Sequence, residues 1–282
     1  MSDSVANVWS VTGGRVIGPA PFLLAGIVNV TPDSFYDGGC HCSCSSAVEW
    51  GLRLHAQGAH ILDIGGESTR PGAAYVSCEK EISRVLPVVQ NLLAREPGLL
   101  ISVDTYKAEV ARRVLDAGAV IINDISGFSF DPGLKDIVVQ YKPGYVLMHT
   151  PSRPEAMQNN PHYDDVIGEI LTYFEKKMSL LVNAGLPENR IVLDPGIGFG
   201  KNLEHNLTIL KHIDRFNVLG RPVYMGLSNK SLWEKLLGLS REHRGGATQV
   251  ATALLAARGV YIHRVHDIAA TVQTLRIVQA MT

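Results

Sequence analysis

Short apolar runs recur eight times along the 282-residue chain, each separated from the next by a longer stretch with helical spacing. They are "FLLAGIVNV" (22–30), "HILDIGG" (60–66), "LLISVDT" (99–105), "VIINDIS" (120–126), "YVLMHT" (145–150), "IVLDPG" (191–196), "PVYMGLS" (222–228) and "YIHRVHD" (261–267). Their apolar character is nearly continuous rather than alternating, which suits parallel strands covered on both faces. Between them, "AEVARRVLDAG" (108–118) sets Val110, Val114 and Leu115 on one helix face and stops at a C-cap residue, Gly118. "EISRVLPVVQNLLARE" (81–96) and "DVIGEILTYFEKKMSLLVNAG" (165–185) read the same way, with a kink expected at Pro87. Eightfold strand–helix alternation predicts an α/β fold of the (β/α)8 TIM-barrel type, with an open doubly wound sheet as the alternative. The first ~20 residues, "VWSVTGGRVIGPA" included, predict a short N-terminal β-hairpin closing the bottom of the barrel. No repeat, low-complexity linker or composition break interrupts the pattern, so residues 1–282 are read as a single domain.

Composition narrows the class of partner. Apolar residues at 46% and charged residues at 19% suit a filled core, and a net charge of -1 gives no reason to expect a nucleic-acid or membrane-surface partner. No apolar stretch approaches the ~20 residues that span a bilayer. "MSDSVANVWS" lacks the basic-then-apolar order of a signal peptide, so a soluble cytoplasmic protein is expected. Cys40, Cys42 and Cys44 lie too close together for the usual zinc spacings; with Cys78 they read as thiols of a reducing compartment.

Every predicted strand ends in polar residues: Asn29, Asp63, Asp104, Asn123 with Asp124, His149, Asp194, Ser228 with Lys230 beyond it, and His266 with Asp267. In a barrel these share the C-terminal rim, where such folds keep their active sites. Asp104, Asn123 and Asp194 point to a common centre and suit an N–H-rich, guanidine-like edge. The alternative for Asp104 is to cap the helix that starts near Lys107. Arg264 and His266 alternate on the last strand and share a face. With Asn29 across the rim they form a candidate site for a diphosphate and its Mg²⁺, a hard ion that prefers oxygen. "DPGIGFGKN" (194–202) is no Walker motif, because Pro195 and Asn202 stand where Gly and Ser or Thr are required. Its glycines are read as letting the backbone pass close to a flat ligand held by Asp194. No nucleophile elbow, zinc-protease motif or metal-binding Cys pair is present, which argues against covalent catalysis and tight zinc chemistry.

These residues resemble the dihydropteroate synthase family, the folate-pathway target of sulfonamides. "NVTPDSFYDGG" (29–39) and "DIGGESTRPGA" (63–73) are similar to its two signatures. "SVDT", "NDISG", "MH", "DPGIGFGK" and "RVHD" follow in family order, so the resemblance spans roughly residues 22–282. It implies a transferase that joins 7,8-dihydropterin-6-ylmethyl diphosphate to p-aminobenzoate and releases pyrophosphate. Asp104, Lys230, Arg264 and His266 would be catalytic. The pterin would lie on Asp104, Asn123, Asp194 and Lys230, with Met148 and Phe199 packing nearby and Arg264 covering it. The diphosphate would lie at Asn29, Thr69, Arg264 and His266, with Mg²⁺ on Asn29. Phe35, Thr69, Arg70 and Pro71, on loops after the first two strands, would close over p-aminobenzoate, opposite Lys230 and Ser231. A homodimer is also implied. The family usually reads Ser-Arg-Lys after its seventh strand, whereas this chain has "SNKS" (228–231), with Asn229 in place of Arg. A silent pterin-binding paralogue would carry a damaged rim, and Asn229 is the visible deviation of that kind. A methyltetrahydrofolate:corrinoid methyltransferase would share the Asp/Asn pocket but need neither opening signature.

Overall fold

The structure, a computed structural model, describes residues 8–31, 44–70 and 72–282. Eight parallel strands form the barrel wall: β3 (Leu23–Asn29), β4 (Ile61–Gly65), β5 (Leu100–Asp104), β6 (Ile121–Asp124), β7 (Gly144–Met148), β8 (Ile191–Asp194), β9 (Tyr224–Met225) and β10 (Ile262–Val265). Neighbours follow chain order from β3 to β8, and β10 lies between β3 and β9. A single parallel bridge between Leu193 and Val223 closes β8 onto β9, with Leu193 N donating to Pro222 O at 3.0 Å. The result is the expected TIM barrel rather than an open sheet.

Helices α1 (Cys44–Ala56), α2 (Cys78–Arg95), α3 (Ala108–Asp116), α4 (Gly133–Tyr141), α5 (Val166–Asn183) and α6 (Leu203–Lys211) follow β3 to β8 in turn. Two helices, α7 (Leu232–Leu237) and α8 (Gly245–Ala256), follow β9, and α9 (Ile268–Met281) follows β10. Helix α3 buries Val110, Ala111, Val114 and Leu115 and stops at Gly118, whose φ of 104° only glycine adopts without strain. There Ala119 N donates to Val114 O at 3.0 Å and Gly118 N to Leu115 O at 3.1 Å, which satisfies the last carbonyls. Helix α2 is continuous through Pro87; Ser83, whose carbonyl Pro87 cannot bond, is exposed and open to water. No described helix is long and apolar enough to cross a membrane.

At the N-terminus, β1 (Trp9–Ser10) pairs antiparallel with β2 (Val16–Ile17). This hairpin plugs the barrel floor. Trp9, Val11 and Ile17 pack with Ile61, Ile121, Val146, Val192 and Ile262, one from each of five strands. Because side chains alternate along each strand, the inward residue two places above this apolar layer is polar on several strands: Asp63 above Ile61, Asn123 above Ile121, Asp194 above Val192 and Arg264 above Ile262. The site is therefore the upper half of a barrel whose lower half is oil.

Candidate active site

Asp63 is the hub of that polar layer, and its side chain is fully buried. Its Oδ1 accepts from Ser102 Oγ at 2.6 Å, and its Oδ2 accepts from Asn123 Nδ2 at 3.0 Å and Arg264 Nε at 2.6 Å. The other side of the Arg264 fork, Nη2, donates to Asp104 Oδ2 at 2.8 Å. One guanidinium thus binds two carboxylates from two strands, a geometry that lysine cannot supply. Asp104 and Asn123 are brought together as the sequence predicts, but through Asp63, to which sequence reasoning gave no role beyond ending a strand. The capping alternative for Asp104 does not hold: α3 begins after Lys107 without a side-chain cap, and Ala108 N bonds to Asp131 Oδ2 at 2.7 Å instead.

Two other strand-end acids do not serve the pocket. Asp124 points out of the barrel and accepts from Ser126 N, Ser126 Oγ, Phe128 N and the Tyr145 hydroxyl. Asp267 caps α9 through Ala270 N at 3.0 Å. Boundary polarity and site polarity are mixed on this rim, and only side-chain direction separates them.

Electrostatics in the pocket follow from burial. Burial lifts the Asp104 carboxyl to about 7; the Arg264 charge opposes this and the Asp63 charge adds to it. Burial also lowers the Lys230 ammonium to about 8, against the stabilising charge of Asp194. Lys230 Nζ stands 4.3 Å from the centroid of the Phe199 ring. Phe199 belongs to a small buried cluster with Met148, Ile125, Tyr106 and Met157, which lines one wall of the upper barrel. Asp194 pairs in register with Met148 and accepts from Gly196 N at 2.7 Å. Asn29 lies at the neighbouring strand end: a Cβ on Gly65 would stand 3.8 Å from Asn29 Oδ1 and 3.6 Å from Asp104 Cβ. His266 sits just past β10 with Nδ1 2.9 Å from Ser228 Oγ. Burial, then Arg264, Arg241, Arg70 and Lys230, push its imidazole down to about 4, so the ring is neutral at pH 7. It offers a hydrogen bond there rather than a positive charge.

Thr69 is half-buried and Arg70 exposed on the loop after β4, while Ser231 is exposed at the start of α7. Phe35 and Pro71 lie outside the described residues, as do Cys40 and Cys42. Two glycines of "DPGIGFGK" are required by the protein's own packing. A Cβ on Gly196 would meet His149 O at 2.0 Å, and one on Gly200 would meet Pro151 Cγ at 2.2 Å, so both admit the neighbouring chain. Lys201, which the sequence reading passed over, is buried beneath them. Its Nζ lies 3.0 Å from His149 Nδ1, 3.1 Å from Gly196 O and 3.0 Å from Phe199 O. Burial lowers it to about 7. The one available signal was a lysine two residues after an aromatic on a glycine-rich turn.

The profile of the pterin binding enzyme family matches residues 25–266. The dihydropteroate synthase of Escherichia coli (strain K12) is 43% identical over 255 residues, covering 90% of each chain. Among solved structures, Xanthomonas albilineans dihydropteroate synthase with 4-aminobenzoic acid aligns with a TM-score of 0.91 at 42% identity, over 98% of both chains. The same enzyme in complex with 7,8-dihydropteroate aligns with a TM-score of 0.86 at 41% identity, over 96% of this chain and 98% of that one.

Proposed function

The chain belongs to the dihydropteroate synthase family of pterin-binding enzymes, and from that premise we propose how its own residues divide the work. The reaction condenses 7,8-dihydropterin-6-ylmethyl diphosphate with p-aminobenzoate to give 7,8-dihydropteroate and pyrophosphate. The observation that carries the assignment of roles is the array in which Arg264 bridges the buried Asp63 and Asp104 while Asn123 donates to Asp63.

Asp104, Asn123 and Asp194 hold the pterin edge by accepting and donating hydrogen bonds, with Met148 and Phe199 against its faces. As the C–O bond to the diphosphate breaks, positive charge develops on the exocyclic methylene and spreads into the ring. The Asp104 and Asp194 carboxylates stabilise that charge in a site with few competing waters. Arg264, Lys230 and the neutral His266 face the growing negative charge on the leaving group, with Thr69 beside it. The arylamine nitrogen then forms the new C–N bond and releases its proton, so this transfer of a pterinylmethyl group needs no strong general base. Thr69, Arg70, Lys230 and Ser231 hold p-aminobenzoate, with Phe35 and Pro71 completing that side. Sulfonamides, which carry the same arylamine, would compete there.

For Mg²⁺, the donor chemistry fits. Asn29 Oδ1 is a hard oxygen beside Asp104, and the missing Cβ of Gly65 leaves space in front of it. Among the described residues no group of three or more His, Cys, Asp or Glu side chains is set to hold a metal, but an ion that retains several waters requires few protein ligands. Bound through Asn29, Mg²⁺ would supply Lewis-acid stabilisation of the diphosphate oxygens.

The cytoplasm is the proposed location, because Cys44 and Cys78 are both free thiols. A homodimer is proposed through α8 and α9, which pack together through Gln249, Thr271 and Thr274. They leave Val250 and Leu254, and Ile277 and Met281, exposed one helical turn apart. The experiment is pyrophosphate release from the pterin diphosphate, with and without p-aminobenzoate and Mg²⁺. Release that needs Mg²⁺ and matches dihydropteroate formation is expected; pterin binding without turnover would refute the catalytic roles.

A further inference from the structure

The neck of the loop after β4 is built around one carboxylate. Glu67 Oε1 accepts from Val76 N at 3.0 Å and from the Tyr106 hydroxyl at 3.2 Å, while Oε2 takes Lys107 Nζ at 2.5 Å. Val76 is nine residues further along, so one side chain joins the two ends of the loop that carries Thr69 and Arg70. Lys107 also pairs with Glu81 of α2, and the three side chains are 7%, 9% and 1% exposed for Lys107, Glu67 and Glu81. The backbone entering the neck is fitted just as closely. A Cβ on Gly66 would stand 2.7 Å from Val85 Cγ1, and Gly66 O accepts from Arg84 Nη1 at 2.6 Å.

None of this is needed to build the barrel. Strand β4 has ended at Gly65, and α2 has its own cap in Ser77. Two carboxylates and one ammonium withdrawn from water carry a desolvation penalty. A loop with no positional task would leave Glu67 in solvent. Beyond the neck, the loop rests on its neighbours. Gly72 N donates to Pro154 O at 3.4 Å. Rings and cations alternate beside it: Lys107 Nζ lies 4.7 Å from the Tyr106 centroid, and the Arg153 guanidinium lies 5.6 Å from Tyr106 and 4.7 Å from Phe130. The loops after β4, β5, β6 and β7 are thereby joined in one arc.

We propose that Glu67, paired with Lys107, is a positioning residue for the second substrate: it fixes the neck of the 67–76 loop so that Thr69 and Arg70 stand where p-aminobenzoate is held, and it touches neither substrate. The inference rests on assigning Thr69 and Arg70 to the p-aminobenzoate side. Steady-state kinetics of the full chain test it, with Glu67→Ala, Glu67→Gln, Lys107→Met and Arg70→Ala. Glu67→Ala and Lys107→Met are expected to raise KM for p-aminobenzoate about tenfold and leave KM for the pterin diphosphate within about twofold. Glu67→Gln keeps a carbonyl oxygen for Val76 and Tyr106 but loses the charge, and should fall between. Amide exchange at Val76 should quicken in Glu67→Ala while β4 stays protected. Equal rises in both KM values, or an unchanged p-aminobenzoate KM where Arg70→Ala raises it, overturn the proposal. If Arg70→Ala itself leaves that KM unchanged, the loop assignment beneath it falls instead. Should Glu67→Ala fail to fold, wild-type p-aminobenzoate KM values in both Glu67→Gln and Lys107→Met overturn the proposal equally.

Discussion

Asp104 and Lys230 face one pocket with their proton affinities pushed towards each other, and this fixes a pH profile. Burial lifts Asp104 to about 7 and lowers Lys230 to about 8. The proposed roles need Asp104 ionised and Lys230 charged. Asp104 takes up its proton as pH falls through about 7, and Lys230 loses its proton as pH rises through about 8, so activity must fall on both sides. For two such groups the working fraction of free enzyme is 1/(1 + 10^(7−pH) + 10^(pH−8)), which peaks at about 0.6 near pH 7.5 and drops to about 0.1 at pH 6 and pH 9. The measurement is kcat/KM for the pterin diphosphate, at saturating p-aminobenzoate and Mg²⁺, across that range. A bell with about sevenfold loss at each end is expected. Asp104→Asn should abolish the acid limb and keep the alkaline one, and Lys230→Met should weaken the alkaline limb and keep the acid one. Lys201, lowered to about 7, adds loss only on the alkaline side and cannot imitate the acid limb. His266, at about 4, titrates outside the window. An acid limb that survives Asp104→Asn at the same pH would refute the reasoning.

Asp104→Asn should also lower the maximal rate of product formation by ~10²–10³, far more than it weakens pterin diphosphate binding by titration calorimetry; similar losses in both would contradict its cation-stabilising role. Arg264→Met leaves the Asp63 and Asp104 carboxylates buried without their partner and should cost about 3–5 kcal/mol in urea denaturation, whereas Arg264→Lys keeps the charge and should recover only part of it. Lys201→Met strips a donor from Gly196 O and Phe199 O, each worth about 1–3 kcal/mol when left unpaired; a lower Tm together with a raised KM for the pterin diphosphate is expected, since Phe199 loses its anchor. Val250→Glu with Leu254→Glu should convert the proposed dimer to monomer by light scattering, with the fold intact by circular dichroism.

The barrel was legible because its strands are apolar on both sides and its helices on one, so eight short runs bounded by turn residues marked the wall within a residue or two. Strand β9 is the exception: of the run 222–228 only Tyr224 and Met225 are strand, since Gly226 to Ser228 already turn towards Lys230. The pocket was legible where a strand end and a period of two suffice, as for Asp104, Asn123, Asp194 and Arg264. It was not legible where the direction of a side chain decides. Asn123 and Asp124 are adjacent, yet one faces the pocket and the other bonds outwards to Tyr145. Nor was it legible where partners are distant in sequence. Asp63 draws its meaning from Arg264, 201 residues away, Glu67 from Lys107, 40 away, and Lys201 from His149, 52 away. No local pattern contains those contacts.

The same distinction between local signal and tertiary support explains how the loop after β9 carries Asn229 where the family usually has arginine. Asn229 has φ 58°, in the left-handed region that asparagine tolerates better than most side chains. The loop is held by its backbone. Asn229 O accepts from Arg244 Nη1 at 3.1 Å, and the same guanidinium donates through Nε to Leu239 O at 3.3 Å and pairs with Glu234 of α7. Lys230 N donates to Leu227 O at 3.3 Å, and Trp233 Nε1 donates to the same carbonyl at 3.2 Å. These bonds hold the loop that carries Lys230 over Phe199 without using the Asn229 side chain. The lost charge is not missing from the neighbourhood either: Arg241 and Arg70 already lie within electrostatic reach of His266, beside Arg264 and Lys230. Another guanidinium there would push Lys230 and His266 still further from their charged forms. A residue that looked like damage to the rim is therefore one that relieves crowding of like charge while leaving Lys230 where the backbone puts it.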